Sequence, residues 1–177
     1  MNISGEDRIG LSADFYSVIS EIDVRILDIG QSVIHDQVSQ GMMLQLPADE
    51  NPDALKYQLI ERARQLGLVA RVQDVDQTAY EHWVEQQGAD RYFITLLTRE
   101  VSAEEIARIT EVTAEQGLNI KEIVRLSGRI PLDKPITNEI KSCIQFSVQG
   151  RAINPSEMRA SFLRIATQLD IDIAIQM

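Results

Sequence analysis

The 177-residue sequence predicts an α+β fold in which one β-α-β-β-α-β unit is written twice, each around an antiparallel sheet. Three observations carry this. Short alternating apolar runs read as strands, and stripes at helical spacing separate them in that order. The same order returns after a central helical segment. The residues also repeat at two constant spacings. Glu21, Ile26 and Ile29 match Glu115, Ile120 and Ile123 at an offset of 94 (120 − 26 = 94). Asn51, Pro52, Ala63, Gln65 and Leu66 match Asn154, Pro155, Ala166, Gln168 and Leu169 at 103 (154 − 51 = 103). Constant offsets across helices and strands alike mark a tandem duplication. The change of offset, 103 − 94 = 9, is a nine-residue insertion in the second hairpin, around Leu126 to Glu139, where Gly128, Pro131 and Pro135 signal a long loop.

In the first unit a short strand, Asn2 to Ser4, precedes a glycine-bracketed loop, Gly5 to Gly10. A helical stripe of Leu11, Phe15, Val18, Ile19 and Ile22 follows. Val24 to Ile34 is rich in Val and Ile and reads as a strand. His35-Asp36-Gln37 breaks it, and Gly41 to Leu46 returns as its hairpin partner. Asn51-Pro52 supplies an N-cap and a proline at the first helical position; Leu55, Leu59, Ala63 and Leu66 form the buried stripe, and Gly67 the C-cap. Leu68 to Gln73 closes the unit as a strand. Asp76 to Gln87 reads as a linker helix with Tyr80, Trp83 and Val84 on one side, ending at Gly88.

The second unit opens on Tyr92 to Leu97, apolar on both faces as a central strand is. Ser102-Ala103-Glu104-Glu105 is a capping box. Asn119 to Leu126 and the alternating Ile144, Phe146 and Val148 form the hairpin. Asn154-Pro155 starts a helix with Met158, Phe162, Ala166 and Leu169 inward, and Ile171, Ile173 and Ile175 alternate in the last strand. The order in each unit is the split βαβ of ferredoxin-like folds. The predicted boundaries are residues 1–75, a linker helix at 76–90, and residues 91–177.

Composition narrows the function. With 44% hydrophobic and 25% charged residues the chain is an ordinary globular one. Its 17 basic against 27 acidic residues give a net charge of −10, which disfavours nucleic acid and anionic membranes as partners. No apolar run has the length of a membrane span, and the N-terminus lacks a signal-peptide layout. The single Cys143 cannot form an internal disulfide, so a cytoplasmic location is expected.

Catalytic patterns are missing. Asp74-Val75-Asp76-Gln77-Thr78 fits the D-x-D-x-T of phosphatases that attack through aspartate above Mg2+. That chemistry needs a buried parallel strand before the motif, and Arg71 and Gln73 occupy the segment; no later G-D-x-x-x-D follows. Strand exit and helix cap account for the same residues. His35 and His82 have no metal-ligand spacing, and no serine lies in a G-x-S-x-G elbow. Neither a metal nor a cofactor is expected in this chain.

Ligand-type features are divided between the copies. Copy 1 has the loop Gly5-Glu6-Asp7-Arg8-Ile9-Gly10 ahead of Leu11, where first-turn amides form an anion site and Asp7 can take an ammonium. Its second strand begins Asp23-Val24-Arg25. Copy 2 has Gly117-Leu118-Asn119 at that strand start but Leu97-Thr98-Arg99-Glu100-Val101 as its loop, without glycine. A pocket shared between Asp7, Arg8, Gly10 and Leu11 of one copy and Asn119 and Ile120 of the other is the expected site.

With G-x-D-R-x-G after strand one and G-x-N before strand two, the paired units resemble ACT domains, a family that binds amino acids and regulates metabolic enzymes. Ile26-Leu27-Asp28-Ile29-Gly30-Gln31, the Trp83 linker and Arg125-Leu126-Ser127-Gly128-Arg129-Ile130-Pro131-Leu132 are similar to the N-terminal tandem ACT region of bacterial phosphoserine phosphatases, over the whole chain. The resemblance implies a regulatory region that binds L-serine at an ACT–ACT interface and forms a homodimer through its ACT domains. It also implies a Mg2+-dependent catalytic domain of the haloacid-dehalogenase type that lies beyond Met177. Asp7, Gly10 and Asn119 match the family's binding positions. Ile9 stands where the family has proline, and Asp23 and Arg25 replace its glycine and asparagine, which weakens the case for a second, symmetry-related site. The alternatives are a free-standing ACT pair acting by protein contact, like repressors of glycine catabolism, and a purely structural dimerisation module.

Overall fold

The computed structural model describes residues 1–22, 24–48, 51–128 and 142–177. Thirteen elements follow in order: β1 (Asn2–Glu6), α1 (Leu11–Ser20), β2 (Arg25–Ile34), β3 (Gln37–Gln45), α2 (Pro52–Gln65), β4 (Val69–Arg71), α3 (Gln77–Gln86), β5 (Asp90–Thr98), α4 (Ala103–Glu115), β6 (Asn119–Arg125), β7 (Ser142–Gly150), α5 (Pro155–Leu169) and β8 (Asp172–Gln176). The chain divides into two compact units, Met1–Gln77 and Thr78–Met177. Each holds a four-stranded antiparallel sheet, ordered β2-β3-β1-β4 in the first and β6-β7-β5-β8 in the second. The α+β fold of two tandem ferredoxin-like units is therefore present.

The duplication extends to irregularities. The β2–β3 register slips between Ile26 and Asp28, and the β6–β7 register between Ile120 and Glu122. The extra residues, Leu27 and Lys121, are again 94 apart (121 − 27 = 94). A β-bulge bends its strand and is a built feature of a sheet, so its recurrence at the sequence offset is independent evidence of the repeat. The caps recur as well. Asn51 Oδ1 accepts from the Asp53 and Ala54 amides, and Asn154 Oδ1 from the Ser156 and Glu157 amides, each followed by proline.

One core serves each unit. In unit 1, Ile3, Leu11, Phe15, Ile19, Val38, Met42, Leu55, Leu59, Ala63 and Leu68 pack together; in unit 2, Ile94, Leu96, Ile109, Phe146, Val148, Met158 and Phe162 are wholly buried among their neighbours. Burying a side chain of this size contributes about 1.5–3 kcal/mol, which is why both helices of a unit lie on its sheet.

Three sequence expectations are corrected. Gly5 belongs to β1, paired with Val38, and is no part of a loop. A Cβ there would lie 2.8 Å from Leu68 Cδ2 and 3.2 Å from the Gly67 carbonyl, so its glycine serves close packing under the α2–β4 turn. β3 begins at Gln37, not Gly41, because its buried Gln40 hides the alternation; Tyr16 Oη accepts a hydrogen bond from its Nε2. The β2–β3 turn is correspondingly only His35-Asp36, with His35 at φ 57°. Most of the proposed insertion, and the Arg129 to Leu132 segment of the resemblance, lie outside the described residues, as does Asp23.

Candidate functional site

The head of α1 is a four-residue turn, Asp7 to Gly10, between β1 and the helix. Gly10 is the N-cap at φ 86°, a left-handed conformation that glycine adopts without strain, and no side chain caps the helix. The Leu11 amide donates to the Arg8 carbonyl at 3.1 Å and the Asp14 amide to the Gly10 carbonyl at 2.9 Å. The amides of Ser12 and Ala13 lie between these, among the donors that a helix start leaves without intrahelical partners. They carry the positive end of the helix dipole.

The sequence-predicted residues take distinct places around this turn. The Asp7 amide donates to the Asp36 carbonyl at 2.6 Å, fixing the turn to the tip of the β2–β3 hairpin and leaving the Asp7 carboxylate exposed. Arg8 Nη2 donates to Asp14 Oδ2 at 2.7 Å, so the one acid in the first turn of α1 is neutralised. Ile9 is fully exposed, whereas Leu11 is 4% exposed and packs in the core, able to offer only main-chain atoms. His35, beside this turn, places Nδ1 2.8 Å from Asp36 Oδ1, and that hydrogen bond raises its pKa above the ordinary histidine value.

In unit 2, Asn119 is the exposed first residue of β6, opposite Gln149. Ile120 is opposite Val148 and packs on the unit's core. Gly117, at φ 69°, leads into the strand after α4. The residues named for the expected site thus lie in different units, Asp7 to Leu11 in unit 1 and Asn119 and Ile120 in unit 2. In unit 1 the matching position, between the end of α1 and the start of β2, holds a cavity of about 540 Å³ lined by Tyr16, Ile19, Glu21, Val24 and Ile26 among others. Sequence reasoning missed it, since it depends on how far the edge strand stands from the helix.

The head of α4 differs from that of α1. Glu105, 8% exposed, accepts from Thr98 Oγ1 at 2.7 Å through Oε1. Its Oε2 accepts from the Ser102 amide at 2.6 Å, and Ser102 Oγ in turn accepts from the Glu105 amide at 3.1 Å. The capping box was legible in the sequence; the burial of its glutamate and the bond from Thr98 were not.

The D-x-D-x-T segment has no phosphatase setting. The strand before it, β4, is three residues long, lies at the sheet edge and runs antiparallel to β1. Asp74 Oδ2 accepts from Lys56 Nζ at 2.7 Å. Among the described residues no group of three or more His, Cys, Asp or Glu side chains is arranged to hold a metal ion, and no helix is long and apolar enough to cross a membrane.

Comparison with known proteins agrees with the fold. Family models described as ACT domain match residues 1–73 and, separately, 91–176. A phosphoserine phosphatase of Streptomyces coelicolor is 25% identical over 175 residues, covering 99% of this chain, while the chain spans 38% of that protein. A UPF0237 protein of Pyrobaculum aerophilum is 31% identical over 81 residues, 45% of this chain and 90% of the relative. Two solved structures share the architecture along almost the whole chain. One is an unknown protein from Galdieria sulphuraria, at 15% identity and a TM-score of 0.69, covering 99% of this chain and 94% of that one. The other, a candidate glycine cleavage system transcriptional repressor, has 14% identity and a TM-score of 0.66, covering 99% and 93%. Two family matches on the two halves of a duplicated β-α-β-β-α-β chain assign it plainly: the protein belongs to the ACT-domain family and carries two ACT domains in tandem.

Proposed function

We propose that this chain is a regulatory module that senses a small amino acid, L-serine, for a phosphoserine phosphatase of serine biosynthesis. The observation that carries the reading is the uncapped head of α1. Ser12 and Ala13 present amides to a carboxylate, Arg8 cancels the charge of Asp14, and the exposed Asp7 carboxylate stands at the rim for an ammonium group. A zwitterion needs both partners, and neither alone would select it. The alignment over 99% of this chain with a phosphoserine phosphatase supports the identity of the partner activity. In this reading the catalytic, Mg2+-dependent chemistry belongs to another part of a longer protein, and no residue described above is catalytic. The reading also assigns ligand binding to Asn119 and the main chain of Ile120, on the likeness of Gly117-Leu118-Asn119 to the family's motif. The exposed stripe of Ile26, Ile29 and Val33 on edge strand β2 supports association of two copies through their ACT domains.

Thermal melting with ligand tests this. Binding to the folded state alone stabilises by about 2.7 kcal/mol at one hundred times Kd, so millimolar L-serine raises Tm. Asp7→Ala abolishes the rise, while its backbone bond to Asp36 survives and the apo protein melts as before. A folded chain whose Tm is indifferent to L-serine overturns the reading.

A second reading is a free-standing regulator acting by protein contact. The net charge of −10 favours it over direct DNA contact. A response to glycine with none to L-serine would select it.

A further inference from the structure

Among the described residues, β2 is the longest open sheet edge. It ends the order β2-β3-β1-β4 and has ten residues, whereas the other edge strands, β4, β6 and β8, have three, seven and five. Its neighbour fixes which way its backbone points. Met42, opposite Ile29, turns both main-chain groups to Met1: its amide donates to the Met1 carbonyl at 2.9 Å, and its carbonyl accepts from the Met1 nitrogen at 2.9 Å. Ile29 therefore directs its own amide and carbonyl to the open side, where Asp28 Oδ1 accepts from the amide at 2.9 Å. Antiparallel pairing alternates, so Gln31 and Val33 open outward as well. Ile29 and Val33 also share the face of the sheet that carries the helices, yet they are 49% and 39% exposed. From Ile29 to Ile34 the strand has no charge and no proline, the devices that keep natural edges from pairing.

We propose that a second copy of the chain adds to this edge, β2 against β2 about a two-fold axis through Gln31, joining two unit 1 sheets into one of eight strands. The proposal rests on the association of two copies stated above and gives it a surface and a register. An antiparallel ladder sets outward-facing residues opposite one another, and a self-pairing must read the same from both copies. Centring on Gln31 meets both conditions, with Ile29 opposite the partner's Val33 and Val33 opposite the partner's Ile29 (29 + 33 = 31 + 31). Each apolar side chain then covers one that is exposed in the other copy. The ladder runs from Asp28 to Ile34, between the bulge at Leu27 and the turn at His35-Asp36. Centring one residue to either side would set the amide of Gln31 against Ile29 or Val33 and leave the remaining apolar side chain open. On pairing, the Ile29 amide exchanges Asp28 for the carbonyl of the partner's Val33.

Cysteine cross-linking of the full chain reads the register. In a Cys143→Ser background, Gln31→Cys puts two thiols on directly opposite residues, whose Cα atoms in a hydrogen-bonded pair lie about 5.5 Å apart, within disulfide reach. Mild oxidation gives a covalent dimer. Val33→Cys alone gives none, because the two copies of residue 33 stand four residues apart along the ladder (33 − 29 = 4), about 13 Å; mixed with Ile29→Cys chains it gives the mixed dimer. In sedimentation the wild type is a dimer, Ile29→Lys a monomer, and Ile29→Lys with Val33→Glu a dimer again, since each new charge faces its opposite. Cross-linking by Val33→Cys alone as readily as by Gln31→Cys would overturn the proposal. A dimer that Gln31→Cys does not cross-link would overturn the β2 pairing and leave association through the ACT domains standing. A wild-type monomer would overturn both, and the melting response to L-serine would still decide the sensing reading separately.

Discussion

Gly10 and Gly150 are glycines for different reasons, and substitution separates them. At Gly10 the backbone sits at φ 86° and a Cβ would meet nothing within 4 Å. Gly10→Ala therefore isolates backbone strain, about 1–2 kcal/mol, and lowers the denaturation midpoint without changing the m-value. At Gly150 a Cβ would lie 2.6 Å from Ile153 Cδ1 and 2.9 Å from Leu118 Cδ2, so alanine there must displace core side chains. His35 shows a third kind of single-residue effect. Its proton is held by Asp36, so its folded pKa is above the unfolded one; the associated stabilisation is present below the ordinary histidine range and is lost as pH rises through the folded value. Because both groups are exposed, the effect on stability is close to nil. The imidazole resonances nevertheless titrate above pH 6.5, the ordinary value, and Asp36→Asn brings the midpoint back to it.

At the scale of the element, helix starts were the most legible features because their signals are local. Asn51-Pro52 and Asn154-Pro155 carry both the acceptor and the preset φ in adjacent residues, and the structure realises both caps with bonds of 3.0–3.3 Å. Asn154→Ala costs about 1 kcal/mol by the usual loss of a cap, measurable as a lower urea midpoint. Strand limits were less legible where burial and polarity disagree. Gln40 reads as an outward residue, yet it is 4% exposed, and its amide is satisfied by the half-buried Tyr16 at the margin of the core. Gly5 reads as a loop residue because glycine usually is one, and only the nearness of Leu68 explains it as a strand residue. The bulges at Leu27 and Lys121 had no signature in either copy alone. The candidate site divides in the same way. Gly10 and the capping box were visible as short patterns, but the Arg8–Asp14 pair and the Asp7–Asp36 bond depend on the path of the turn.

Among the described residues the two units have separate cores with no residue in common. Each sheet has its own hydrogen-bonded register and each pair of helices its own apolar stripe, so stability is stored in two places. For such a chain a single unfolding free energy is not well defined, and the informative measurement is local. Phe146 is 0% exposed at the centre of the unit 2 cluster, paired with Ile94 on β5 and Ile123 on β6. Phe146→Ala removes its ring from between both neighbours at a cost of about 3–5 kcal/mol. That loss raises amide exchange through β5, β6, β7 and β8, because the strands of one sheet open as a unit. Protection in β1 and β3 stays at the wild-type level, since none of their residues packs in that cluster. Phe15→Ala, 1% exposed in the other core, gives the reverse pattern. Equal loss of protection in both sheets from either variant would mean that the two ACT domains unfold as one, and the duplicated halves would then have to be treated as a single cooperative unit.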